Sequence, residues 1–137
     1  MNRDDFRNLA RTRCREARVL LQHGCYEGAY YLSGYVIECA LKACIAKGTR
    51  RHDFPDKKQV NESYTHDLSK LVGVAALGSE LDQRTAKDKT FEVNWSMVQD
   101  WTEESRYQRP TKQAALDLYS AVTNPQHGVL RWLRHHW

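Results

Sequence analysis

Glu38 and Lys42 are the two charged residues in an otherwise apolar, aromatic and small stretch, AYYLSGYVIECALKA (residues 29–43). They lie four residues apart, in the Glu-to-Lys order that favours an ion pair on one face of a helix. One interpretation is a surface salt bridge worth about 0.3–0.5 kcal/mol. The other is a cleft or subunit interface in which Glu38 orients a partner group and Lys42 contacts a phosphate. Tyr31 and Tyr35 share this helix stripe, and a half-buried charge pair is costly unless it is used or fully hydrogen-bonded, so both interpretations stand.

A second group that could hold an anion is Arg106, in the segment SRYQRP (residues 105–110) before the last predicted helix. Its planar guanidinium could contact a phosphate, or it could pair with Glu38 and hold the last helix in place. Tyr107 follows it directly. The candidate ligand-binding residues are Tyr35, Glu38, Lys42, Arg106 and Tyr107.

Histidine is the side chain best suited to proton transfer near neutral pH. His66 directly follows Thr65, which we expect to cap the third helix, so His66 is primarily a helix-start residue. His135 and His136 lie at the extreme C-terminus, where chains fray and where basic residues complement a helix dipole. The weak candidates for catalytic residues are therefore Arg106, His66 and His136.

The composition predicts a cytoplasmic protein with a core of its own. The chain has 137 residues, of which 41% are hydrophobic and 28% charged. Its net charge of +4 permits contact with nucleic acid or nucleotide phosphate without requiring it. No apolar run approaches the roughly 18–20 residues of a membrane span, so no membrane partner is expected. Four cysteines show no CxxC pairing, and three of them lie in helical, apolar surroundings, which predicts reduced thiols; they are Cys14, Cys25, Cys39 and Cys44. Because metal-ligand spacing is absent, no metal is expected, and we expect no cofactor either.

The elements that must position these residues are helices, because helical periodicity dominates the chain. The first helix spans about residues 2–22, and the second runs to about Lys47 after the turn HGCYEG, so the two should form a long antiparallel hairpin. Residues 48–64 are polar and contain Pro55, which predicts an exposed loop. That loop carries Arg50, Arg51 and His52.

Three more helices complete the prediction. Thr65 caps the third, Ser79 starts the fourth, and the last begins near Thr111 with an interruption at Asn124–Pro125. The expected fold is all-α, a single domain of residues 1–137 built as an up-and-down bundle of four to five helices.

Small residues on the second helix and two large tryptophans should shape the packing of this bundle. Small residues on the second helix, Gly34 among them, permit close approach of a neighbouring element. Trp95 and Trp101 are expected to pack in the core or at a hinge rather than to stack on nucleic-acid bases.

The first helix also carries a basic row in which an arginine recurs every four residues. This row could follow an RNA backbone, since arginines neutralise phosphates. A solvated helix face is favoured, because acidic residues interrupt the row. The arginines are Arg3, Arg7, Arg11 and Arg15, and the acidic residues are Asp4, Asp5 and Glu16.

Three segments together resemble the HEPN domain, a small helical domain named for higher eukaryotes and prokaryotes nucleotide-binding. They are AYYLSGYVIECALKACIAK, THDLSKL, and SRYQRP with a last helix that ends in GVLRWL. The resemblance covers roughly residues 4–133. It implies a bundle of four or five helices that commonly pairs into a symmetric dimer, so we expect a homodimer or a higher homo-oligomer. Many members are metal-independent ribonucleases, others bind only nucleotides or RNA, and some accompany a small nucleotidyltransferase that silences them.

The ribonuclease members carry an arginine, then four to six residues, then a histidine near the start of the last helix. Arg106 matches the arginine by position, but Thr111, Lys112 and Gln113 stand where the histidine would be. None of these three can exchange protons as an imidazole does. The motif therefore lacks its base.

The resulting expectation is a HEPN-like RNA- or nucleotide-binding protein, non-catalytic or weakly catalytic, in a toxin–antitoxin or defence system. One alternative is a metal-independent endoribonuclease that recruits His66, His135 or His136. The other is a helical oligomerisation or adaptor module, in which the tyrosine stripe serves only as a dimer interface.

Overall fold

The computed structural model describes residues 1–49 and 56–137. The predictions for Arg50, Arg51, His52 and Pro55 lie outside these residues. None of the described helices is long and apolar enough to cross a membrane.

The described chain is helical and contains no strand, which confirms the predicted all-α class. Within residues 1–49 and 56–137, five α-helices have ten or more residues, and three shorter ones have six or seven. In chain order they are α1 Arg3–Gln22, α2 Tyr26–Gly48, α3 Lys57–Glu62, α4 Leu68–Val74, α5 Gly78–Lys87, α6 Lys89–Gln99, α7 Lys112–Thr123 and α8 Val129–Arg134, with a 3₁₀ helix at Glu103–Tyr107 between α6 and α7.

Helices α1 and α2 form the predicted hairpin. Asn2 caps α1 in a reciprocal capping box with Asp5, and Gly24 turns the chain with a positive φ of 76°. The Leu20 side chain, near the end of α1, lies beside Gly28 at the start of α2. The two helices pack against each other on either side of this turn.

Helix α2 is the centre of the fold. Helices α1, α4, α7 and α8 and the 3₁₀ helix all contact it. Residues 36–41 are buried without interruption, and because this run exceeds one helical turn, every side of the helix is covered there. Its midpoint therefore has no solvated face on which a charge could be placed cheaply.

Two local predictions need correction. Helix α3 lies within the predicted loop, because the Asp56 carboxylate caps it by accepting a hydrogen bond from the Lys58 backbone. Helix α4 is capped by Asp67 and not by Thr65. The Thr65 hydroxyl instead accepts a hydrogen bond from the Asp67 backbone and so supports the true cap.

The C-terminal part confirms some predictions and corrects another. Thr111 caps α7, and the chain breaks at Asn124 before α8 begins, as predicted. Trp95 and Trp101 are buried. The expected fraying of the C-terminus is wrong, because Trp137 is only 6% exposed and its carbonyl accepts a hydrogen bond from Arg3 at 2.5 Å.

Candidate functional site

The Glu38 carboxylate is buried within the fold. Its side chain is only 2% exposed, so the surface salt bridge that the sequence left open is wrong. Glu38 Oε1 accepts a hydrogen bond from Lys42 Nζ at 3.0 Å and lies 2.6 Å from His66 Nδ1. Oε2 is buried with no hydrogen-bond partner in the described part of the chain. A carboxylate in this position needs its cationic neighbours, because desolvation of an ion is costly.

His66 bridges two carboxylates. The sequence predicted His66 as the first residue of the helix, but it lies outside α4, directly before the Asp67 cap. Its ring reaches α2 through Glu38 and the 3₁₀ helix through Glu103, whose Oε2 lies 2.9 Å from Nε2. Carboxylates only accept hydrogen bonds, so both contacts are satisfied only when both ring nitrogens carry hydrogen. These pairings could not be predicted from the sequence, since spacing along the chain says nothing about partners 28 or more residues apart.

An aromatic row lies beside this cluster on α2. The Tyr31 and Tyr35 rings are stacked, with centroids 6.1 Å apart and planes 7° apart. Tyr31 also contacts Trp101, whose centroid is 6.0 Å away. Burial, with the nearby Cys39 and Glu38, raises the pKa of Tyr35 to about 12. The Tyr35 ring is therefore neutral at physiological pH.

Arg106 lies on the 3₁₀ helix, with its guanidinium carbon 4.9 Å from the centroid of the Tyr107 ring. The Tyr107 phenol, and after it that of Tyr31, raises the pKa of Arg106. Both Arg106 and Tyr107 are exposed. The alternative in which Arg106 pairs with Glu38 is wrong, because no such ion pair exists in the described chain and Glu38 is engaged by Lys42 and His66.

The predicted ligand-binding residues therefore fall into two groups of contacts, one around Glu38 and one around Tyr31, and all of them lie on α2 and the 3₁₀ helix, which contact each other. We call this assembly the Glu38 site; it consists of Tyr31, Tyr35, Glu38, Lys42, His66, Glu103, Arg106 and Tyr107. Tyr31, His66 and Glu103 are the members that the predicted ligand-binding set omitted. Chemically, the site combines an exposed guanidinium and aromatic rings with an imidazole oriented by a buried carboxylate.

His136 is not among these contacts. Its ring packs edge-on against Trp132, with centroids 5.3 Å apart. Burial lowers its pKa, and the nearby Glu80 only partly opposes this. Across residues 1–49 and 56–137, no group of three or more His, Cys, Asp or Glu residues is placed to hold a metal ion.

Comparison with known protein families shows a match to one of them over most of the chain. A family model described as HEPN domain matches residues 4–124 of the 137. No curated protein and no solved structure matches the chain significantly.

Proposed function

Because the chain belongs to the HEPN family, whose domains have nucleotide- or RNA-related functions, we propose that it binds RNA or a nucleotide at the Glu38 site. The observation that carries the proposal is the exposed Arg106 guanidinium beside Tyr107, a ring that is 78% exposed. A guanidinium can bind a phosphate in a bidentate manner, and an exposed ring can stack on a base.

The charge balance of the site supports this use. Arg106 has no carboxylate within 4.0 Å among the described residues, so its charge is available to an anionic ligand. The acidic groups of the site are occupied, since Glu38 contacts Lys42 and His66, and Glu103 contacts His66. A phosphate approaching Arg106 would therefore meet carboxylates that already have hydrogen-bonding partners.

We further propose that the chain acts in a toxin–antitoxin or defence system, as a non-catalytic or weakly catalytic homodimer or higher homo-oligomer, with a nucleotidyltransferase-type protein as its partner. The oligomer is testable by light scattering of the purified protein. A monomer at all concentrations would contradict that part of the proposal.

Binding can be tested by fluorescence anisotropy with a labelled short single-stranded RNA and with a labelled nucleoside triphosphate. Arg106→Ala should weaken binding of at least one probe about tenfold, as expected for loss of a charge-assisted contact. Arg109→Ala is the matched control, because Arg109 is another exposed arginine three residues away. Absence of binding by the wild-type protein, or equal affinity of the wild-type protein and Arg106→Ala, would refute the proposal.

The geometry of His66 favours a second candidate function, metal-independent RNA cleavage. General acid–base catalysis needs an oriented imidazole, and the Glu38 carboxylate fixes Nδ1 of His66. Nε2 could then exchange a proton with the RNA 2′-hydroxyl once Glu103, a half-exposed residue, moves away. RNA incubated with the protein in EDTA should yield 2′,3′-cyclic phosphate ends, and His66→Gln should abolish them. Intact RNA after prolonged incubation with the wild-type protein would reject this candidate.

A further inference from the structure

Four arginine side chains surround a hollow of about 220 Å³ between α1, α7 and α8. We call it the arginine hollow. Its lining residues are Arg11, Cys14, Arg15, Arg18, Tyr119 and Arg134. None of them belongs to the Glu38 site.

Both local spacing and tertiary packing build the hollow. Arg11, Arg15 and Arg18 follow one another at intervals of four and three residues, which places them on one face of α1. Arg134 comes from the end of α8. Both Arg134 and Arg11 contact the buried Trp137 ring, with their guanidinium carbons 5.9 Å and 5.2 Å from the ring centroid, respectively. The cations are thus partly preorganised.

The four charges are not neutralised within the described chain. No Asp or Glu there lies within 4.0 Å of any of the four guanidinium groups. The acidic residues of α1 that interrupt the basic row in sequence are engaged elsewhere. Asp4 pairs with Arg7 at 3.2 Å, and Glu16 pairs with Arg13 at 2.8 Å.

The two other lining side chains, Cys14 and Tyr119, also supply no counter-charge to the arginines. Burial raises the pKa of the Cys14 thiol, and the nearby Arg134, Arg18 and Arg15 only partly oppose this. Burial also raises the pKa of Tyr119. Neither side chain supplies a negative charge at neutral pH. Like charges collected at a concavity repel one another, and an anion bound among them relieves that repulsion.

We propose that the arginine hollow binds phosphate groups, those of an RNA strand or of a free nucleotide polyphosphate, at a location separate from the Glu38 site. Phosphate is the anion that fits best, because its oxygens accept the paired hydrogen bonds of a guanidinium fork. An RNA strand as the source of the phosphates rests on the proposed function, whereas the affinity of the hollow for phosphate does not.

The full chain carrying Arg15→Gln and Arg18→Gln tests the proposal. Both residues are exposed, and the one hydrogen bond that their side chains make in the described chain joins Arg15 to Thr12 at 3.4 Å, so folding should be retained. Lys87→Gln, at an exposed position of α5, is the control for loss of one positive charge. A second pair of variants, Arg15→Lys and Arg18→Lys, keeps the charge but removes the fork. The probes are labelled short single-stranded RNA and inorganic tripolyphosphate, with circular dichroism to verify the fold.

The double Gln variant should bind at least one probe about tenfold more weakly at low salt. For RNA, the slope of log K against log salt should become less steep by about 1.4, because each phosphate contact on a single strand contributes about 0.7 and two are removed. The Lys variants should retain the salt dependence but lose affinity. Loss of RNA binding alone identifies a strand as the ligand, and loss of tripolyphosphate binding alone identifies a free polyphosphate. Unchanged affinity for both probes, or an equal loss in Lys87→Gln, overturns the proposal.

The same titrations separate this proposal from that of the Glu38 site. Loss of binding in the double Gln variant with unchanged binding in Arg106→Ala supports the hollow and refutes the Glu38 site. The reverse result refutes the hollow alone.

Discussion

Replacing Gly34 by alanine should destabilise the protein, although alanine is the better helix former. Gly34 lies within α2, directly beneath the Trp101 indole. A Cβ atom at this position would lie 2.2 Å from Trp101 Cγ and Cδ2. Non-bonded carbon atoms approach to about 3.5 Å, so the ring would have to withdraw by more than about 1 Å. Trp101 is only 1% exposed, and because protein cores are close-packed, a movement of this size would disturb its neighbours.

The magnitude follows from two opposing effects. Overpacking costs about 1–3 kcal/mol, and complete loss of the indole packing would cost about 3–5 kcal/mol. The higher helix propensity of alanine returns about 1 kcal/mol. We therefore expect a net loss of about 2 kcal/mol in the free energy of unfolding. For a chain of this length that corresponds to a fall in Tm of about 7 °C.

Urea unfolding of Gly34→Ala followed by circular dichroism measures the loss, and Gly73→Ala is the matched control. Gly73 lies in helix α4 with no atom within 4 Å of its added Cβ, so its replacement should be neutral or stabilising by up to about 1 kcal/mol. Because Trp101 contacts Tyr31, Gly34→Ala should also weaken ligand binding at the Glu38 site. If Gly34→Ala proved as stable as Gly73→Ala, the close contact of Trp101 with α2 would be refuted.

Three further predictions concern buried titratable groups. Lys42→Met removes the lysine that pairs with the buried Glu38 carboxylate, and it should lower the free energy of unfolding in urea by at least about 2 kcal/mol. Adding Glu38→Leu should recover most of this loss. A double variant less stable than the single one contradicts the prediction. Burial lowers the pKa of His136, so the unfolded chain binds the proton more readily and stability should decline as pH falls through about 6.5. His136→Gln should flatten that decline in unfolding curves at pH 8 and pH 5.5, and an unchanged decline would refute the assignment. Burial raises the pKa of Cys39 to about 12, so maleimide should label the exposed Cys25 in the native protein and Cys39 only after unfolding; equal labelling rates would be the contrary result.

The helical framework could be predicted from sequence because it depends on local interactions. Apolar periodicity predicted the first residue of α1 to within about one position, and the turn that contains Gly24 predicted the hairpin. The Thr111 cap and the break at Asn124 also act within a few residues. Local prediction failed between residues 56 and 67, where several side chains compete to cap the backbone and the sequence does not show which one succeeds.

The candidate sites could be predicted only in part, for the same physical reason. The sequence identified Glu38, Lys42 and Arg106 by residue type and spacing, and it identified the HEPN family, whose model matches residues 4–124. Only the tertiary structure decided that Glu38 is buried and that its second partner is His66 rather than Arg106. It likewise decided that the acidic residues of α1 leave the arginine hollow without a counter-charge. The partner of a charge and the cost of burying it depend on distances and desolvation between elements far apart in the chain, and periodicity along one helix carries no information about either.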